Sequence, residues 1–496
     1  MPTDATAPDR PVPRTPAGPV LPAGFRLGTA TAAAQIEGAA DIDGRGPSIW
    51  DVFAAEPGRI RGGDSPAVAC DHYHRWPADV RDLAELGAHD YRFSISWSRI
   101  LPAGRGEVNR AGLDFYSRLV DGLLAAGITP VPTLYHWDLP QALQSEGGWL
   151  ERSTADALAD YAAVVVDALG DRVTHWLTLN EMNVHTLYGH ALTDHAPALG
   201  LGLDCLPVAH NLLRAHGLAV DAIRAAGGRH EVGVVQQHFP VLAATGAAGG
   251  PDDDDNADVA DAESADLFRI LTNWTFSDPI LRGCYPEDWV AELVMTSAGL
   301  TAQQLEQDLV AISRPLDHYG VNYYEPTVIE APRPGKDYSG VLEVDFPADM
   351  PFRPVRIEGV QRTDFDWPIV PSGLTDILVQ LHERYPNLPP VTITENGCSY
   401  HDEPGPDGAV HDDRRIEFLR AHLAAVVDAI DLGVDVRGYY AWSAMDNFEW
   451  AAGYAERFGL VHVDHESQDR TRKDSWYWFR DLIASACSEL QPRRSS

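Results

Sequence analysis

From Phe25 onward, short apolar runs and longer amphipathic runs alternate along the chain, and this alternation limits what it can fold into. The apolar runs lie at 25–30, 89–97, 128–135, 174–180, 231–237, 318–323, 391–394 and 436–442. They favour β-branched and aromatic residues, as strands do. Between them, Ala78–Leu86, Leu113–Ala126, Asp156–Leu169, Leu212–Ala226, Leu374–Tyr385 and Ile416–Leu432 repeat apolar residues at three- and four-residue spacing. That spacing gives a helix one buried face. Eight such units without an obvious linker predict an α/β chain closed into a single (β/α)8 TIM barrel. Residues 1–20, rich in Pro and polar side chains, are expected to form a disordered tail, 21–486 the catalytic barrel and 487–496 a C-terminal tail.

Chemistry in such a barrel sits at the C-terminal ends of the strands. The run Val391–Thr394 is β-branched throughout and ends in Glu395-Asn396-Gly397. A carboxylate where a buried strand stops is costly to desolvate and contributes nothing to packing. Trp176–Asn180 repeats the design, with Glu181 next. Two carboxylates at two strand mouths are the equipment of glycoside hydrolysis. The other mouths carry Gln35, Arg92, His136-Trp137, Asn180, Asn322-Tyr323-Tyr324, Trp442 and Glu449-Trp450. Amides, imidazole and carboxylate suit sugar hydroxyls, and aromatic faces suit the C–H surface of a sugar ring. Two long segments, Val184–Pro207 and Glu330–Pro371, follow strands and are expected to extend the mouth into a substrate cleft.

Charge and cysteine content exclude other classes. A formal net charge of −35 would repel a nucleic-acid backbone. No window approaches the length of a membrane span. Five scattered cysteines without paired spacing read as free thiols, and the first 22 residues hold no apolar stretch of signal-peptide length, so the cytoplasm is the expected location. Two metal-like patterns read better as helix-entry features. Asp252, Asp254, Asn256 and Glu263 fit calcium-loop positions, but Ala257 stands where that loop needs Gly. His72-Tyr73-His74 leads into an amphipathic run rather than ending a strand. No metal or cofactor is expected.

Over residues 20–485 the chain resembles glycoside hydrolase family 1, the β-glucosidase family. The matching stretches are Gln35-Ile36-Glu37-Gly38-Ala39, Ser48-Ile49-Trp50-Asp51, Tyr91–Trp97, His136-Trp137-Asp138, Thr178–Glu181, Thr394–Gly397 and Asp446–Trp450. The resemblance implies Glu395 as nucleophile and Glu181 as acid/base. It implies that Arg92, Asn180 and Tyr324 surround the nucleophile and the sugar's 2-hydroxyl. Gln35, His136, Trp137, Glu449 and Trp450 would grip the other hydroxyls, Trp442 would be the stacking platform, and Phe458 would line the same subsite. The chain departs from the family at Met182, which replaces the usual Pro after the acid, freeing an N–H and loosening the local φ restriction. The phosphoglycosidase branch has Ser and Lys in place of Glu449-Trp450, so phosphosugars are not expected. The expected activity is a retaining hydrolysis of unphosphorylated β-glucosides, with β-galactosides or β-fucosides as further substrates. Transfer to a specialised acceptor within the same family and metal-dependent hydrolysis on the same barrel are the competing readings.

Overall fold

The computed structural model describes residues 18–244, 255–338, 340, 346–348 and 350–488. Its centre is a closed barrel of parallel strands: β1 (Arg26–Ala30), β2 (Asp90–Ser94), β3 (Thr129–Tyr135), β4 (His175–Asn180), β5 (Glu231–Gln237), β6 (His318–Asn322), β7 (Val391–Asn396) and β8 (Val436–Trp442). Each apolar run of the sequence forms one of these strands. The second is cut short because Trp97–Ile100 turn into a short helix. The barrel closes where β1 pairs with β8, from Arg26 opposite Gly438 to Ala30 opposite Trp442. This puts the end of the first strand beside the end of the last.

The amphipathic runs become outer helices. In Arg152–Leu169, Ala155, Leu158, Ala162, Val165, Val166 and Leu169 are buried, and the helix packs against Leu206–Ala225. Val131, Leu177 and Val235, on β3 to β5, form an apolar cluster of their own. Val131 stands level with Arg92 in the β2–β3 register, so this cluster lies within the barrel on the side Arg92 occupies.

The ladder is irregular where the two glutamates leave it. Strand β7 shifts register against β6 between Ile393 and Glu395, and against β8 between Ile393 and Asn396. Strand β4 shifts against β5 between Leu177 and Asn180. Such bulges re-aim side chains at barrel rims.

The two long segments carry structure of their own. A π-helical stretch spans His185–Ala191. Around the second, Val241–Ala243, Thr327–Glu330 and Arg353–Val355 make a small separate sheet. Among the described residues between β5 and β6, the acidic run leads into the helix Asp255–Arg269, while Thr275–Leu281, Asp288–Ser297 and Ala302–Ile312 are helices without a counterpart in the sequence reading. Of the calcium-like pattern, Asp252 and Asp254 fall outside the described residues and Glu263 sits within the first of these helices. His72 opens the helix His72–Leu86, and its Nδ1 lies 2.8 Å from Asp79 Oδ2. Cys70, Cys205, Cys284 and Cys398 are free thiols. No helix among the described residues is long and apolar enough to cross a membrane.

Candidate active site

Glu395 projects from β7 with both carboxylate oxygens engaged. Arg92 Nη1 donates to Oε1 at 2.5 Å and the Tyr324 hydroxyl donates to Oε2 at 2.7 Å. Arg92 is fixed in turn: Nε donates to Thr133 Oγ1 at 3.1 Å, Nη1 to the Thr394 carbonyl at 3.2 Å and Nη2 to Asn180 Oδ1 at 2.7 Å. Burial, with Glu395 and Glu181 nearby, holds the Tyr324 phenol well above its ordinary pKa, so it remains a donor.

Glu181 is the residue just beyond β4, in the left-handed region with φ 45°. Its N–H donates to the Val235 carbonyl at 2.9 Å, and its Oε1 accepts Asn322 Nδ2 at 2.7 Å. These bonds to β5 and β6, not a proline ring at position 182, fix its backbone and carboxyl. Burial first, and then the charge of Glu395, push its carboxyl well above the usual carboxylate range; Asn322, Arg92 and Asn180 offset only part of this. Glu181 is therefore biased toward the protonated acid, beside a carboxyl bound by arginine. With Oε1 taken as acceptor by Asn322, the proton belongs on Oε2.

An amide–imidazole chain makes the floor. Asn180 Oδ1 accepts from Arg92 and, at 3.2 Å, from Asn322 Nδ2, so its Nδ2 is the atom 3.1 Å from His136 Nε2. Asn322 Oδ1 accepts Thr394 Oγ1 at 2.7 Å, which sets that amide too. Burial, helped by Arg92, keeps His136 well below its ordinary pKa and hence neutral. With Nε2 accepting, its proton sits on Nδ1, a buried atom that has no partner. Gln35 Nε2 donates to Asn447 Oδ1 at 3.1 Å and to the Phe448 carbonyl at 3.0 Å, leaving its buried Oε1 unpartnered. One donor and one acceptor, both desolvated, are thus left over for a ligand.

Glu181, Glu395, His136, Trp137, Tyr324, Trp442, Glu449 and Trp450 line a cavity of about 330 Å³. The predicted residues Arg92, Asn180, Asn322 and Gln35 lie behind this lining, hydrogen-bonded to it. Phe458 packs on Tyr324, with ring centroids 6.3 Å apart. Trp137 and Trp450 are 4.8 Å apart, and His136 lies nearly parallel to Trp442 at 17°. The two long segments do supply the outer wall, through Tyr188 and His195 from the first and Arg362, Phe365 and Trp367 from the second, residues the sequence reading did not name; Gln237 at the end of β5 and Phe239 just beyond it were not anticipated. The aromatic pair in Phe365-Asp366-Trp367, within an otherwise polar stretch, was the one available signal.

Residues 18–487 match the model of glycosyl hydrolase family 1. The chain belongs to this family. As a member it is a retaining glycosidase on a (β/α)8 barrel. A bifunctional beta-D-glucosidase/beta-D-fucosidase of Bifidobacterium breve is 44% identical over 486 residues, covering 94% of this chain and 98% of that protein. The crystal structure of a psychrophilic beta-glucosidase from Micrococcus antarcticus superposes with a TM-score of 0.86 at 43% identity, covering 94% of this chain and 98% of that one. A beta-glucosidase from Thermotoga maritima in complex with glucoimidazole gives 0.83 at 40% identity, covering 94% and 99%.

Proposed function

We propose that this enzyme hydrolyses unphosphorylated β-D-glucosides, with Glu395 as nucleophile and Glu181 as acid and then base. The observation that carries the assignment is the difference in surroundings of the two carboxyls. Glu395 has a guanidinium and a phenol on its oxygens, whereas burial and the neighbouring Glu395 raise the Glu181 carboxyl toward its protonated form. Glu395 attacks the anomeric carbon while Glu181 passes its proton to the leaving oxygen, so the aglycone departs as a neutral alcohol. Once Glu395 is esterified, its charge no longer raises Glu181, which takes a proton from water as that water attacks. Asn180 sits among Arg92, His136 and Glu181, and this supports its role at the 2-hydroxyl. His136 Nδ1–H and Gln35 Oε1 serve neighbouring hydroxyls, with Trp442 and Phe458 against the ring.

Retention has a direct test. Proton NMR of the first product from an aryl β-glucoside should show the β-anomer before mutarotation. An α-anomer appearing first would overturn the nucleophile assignment.

Glu449 and Trp450 stand where phosphoglycosidases carry Ser and Lys, which supports their facing the sugar's 6-position. A carboxylate there accepts from hydroxyls and repels a phosphate. Charge-assisted bonds of this kind are worth about 1.5–3 kcal/mol each. Glu449→Ser should therefore lower kcat/KM on β-glucosides by roughly tenfold or more and relax the exclusion of 6-phosphoglucosides. Unchanged efficiency on glucosides would remove Glu449 from the sugar site. The relative named a glucosidase/fucosidase supports β-fucosides as second substrates. The free thiols are consistent with a cytoplasmic enzyme.

A further inference from the structure

Close to the sugar site lies a buried cluster of charges that the reaction itself does not use. Lys473 has a fully buried side chain, and its Nζ donates to Asp402 Oδ2 and Asp446 Oδ1, each at 2.8 Å. Asp446 Oδ1 also accepts the Gly459 N–H at 2.9 Å, and Oδ2 accepts Arg457 Nη1 at 3.1 Å. Asp402 is shared with Arg415, which also donates to Asp412 Oδ2 at 2.9 Å and to the carbonyls of Cys398 and Arg457.

The Lys473 amine joins two segments of the mouth, and Asp446 binds a third. One leaves β7 after Glu395 and reaches Asp402. The second begins at Asp446 and carries Glu449 and Trp450. The third is Arg457-Phe458-Gly459. A Cβ at Gly459 would lie 2.0 Å from Asp446 N, so the second and third segments are pressed backbone to backbone. The second is further tied by Asn447, which donates to Ser443 Oγ at 3.0 Å and accepts from Gln35. Packing alone does not require ions here, since apolar residues of like volume usually fill such a space at no loss of stability. What an ion cluster adds is direction, because each carboxylate oxygen has a fixed partner.

We propose that Lys473 is a positioning residue for the 6-position of the sugar: by holding Asp446 against Asp402 it sets where Glu449 and Trp450 stand. It thereby determines how strongly the enzyme prefers a glucoside to the 6-deoxyglucoside. This rests on Glu449 being a sugar ligand, and the test separates the two.

Lys473→Met, which keeps the stem and removes the amine, is compared with Glu449→Ser on aryl β-glucoside and aryl β-6-deoxyglucoside. Lys473→Met should lower kcat/KM on the glucoside by about tenfold, chiefly through KM, and leave the 6-deoxy substrate within about threefold. Equal losses on both substrates, alongside a lowered Tm, would make Lys473 merely structural and overturn the proposal. A normal glucoside/6-deoxyglucoside ratio in Lys473→Met, with the ratio collapsed in Glu449→Ser, would overturn it while leaving the sugar-ligand reading intact. An unchanged ratio in Glu449→Ser would remove the premise itself. If Lys473→Met does not fold, Asp402→Asn weakens the same tether from the other side. It should lower the same ratio, and an unchanged ratio there counts against the proposal.

Discussion

Glu395→Ala should lose turnover on every glycoside, whatever its leaving group, by a factor on the order of 10⁶, the scale seen when a covalent nucleophile is removed. Among the described residues no other carboxylate accepts from both Arg92 and Tyr324, so none is held to take over. The substitution also leaves the buried Arg92 guanidinium without its anion, although Asn180 and the Thr394 carbonyl still accept from it. Breaking a buried pair from one side costs about 3–5 kcal/mol, so the melting temperature should fall with the activity. Glu395→Gln separates the two effects, because it keeps the shape and an acceptor for Arg92 while lacking the nucleophile. Azide supplied to Glu395→Ala should attack from the vacated face of a dinitrophenyl β-glucoside and give the α-glycosyl azide. Residual turnover within tenfold of wild type, or a β-azide, would place the nucleophile elsewhere.

How much of this was legible in the sequence depended on how local the signal was. The barrel strands announced themselves because runs rich in β-branched and aromatic residues need no partner to look like strands. The mouth residues were legible for the opposite reason: Glu395 and Glu181 are polar where a strand pattern predicts apolar. Of the helices between β5 and β6, only the one entered by the acidic run was anticipated. Asp288–Ser297 leaves Trp289 and Leu293 exposed, so its apolar residues do not mark one buried face. Nor could sequence show that Asn322, on β6, holds Glu181, or that the bulges at Leu177–Asn180 and Ile393–Asn396 re-aim the two strand ends. Those depend on register between strands far apart in the chain. Tyr188, His195, Phe365 and Trp367 were hidden because a cleft wall made from long connections has no period to read. Nothing local to Lys473 marks it as buried, since its partners Asp402 and Asp446 lie 71 and 27 residues away.

Glu181→Ala should fail in a different way from Glu395→Ala. Its proton contributes about 10²–10⁴-fold to the departure of a basic leaving group, and an acidic leaving group does not need it. The variant should therefore be crippled on alkyl glucosides yet still release dinitrophenolate in a rapid burst. Burial and the Glu395 charge raise the Glu181 carboxyl, so the wild-type acid is protonated below that raised pKa and lost above it. The alkaline limb of wild-type kcat/KM on an alkyl glucoside reports that loss, and it should vanish when Glu181→Ala is assayed on the dinitrophenyl substrate. After the burst, turnover should stall, because the base that activates water is gone. Azide needs no base, so it should restore turnover and yield the β-glycosyl azide, opposite in configuration to the product of Glu395→Ala. Met182 gives this test its weight. A proline after Glu181 would restrict the backbone that aims the acid; here Asn322 and the Val235 carbonyl carry that role. Asn322→Ala should accordingly weaken alkyl glucosides more than dinitrophenyl glucosides, as a misaimed acid would. If Glu181→Ala cleaved an alkyl glucoside as fast as wild type, the acid would be another residue, and the mouth of β4 would have been misread.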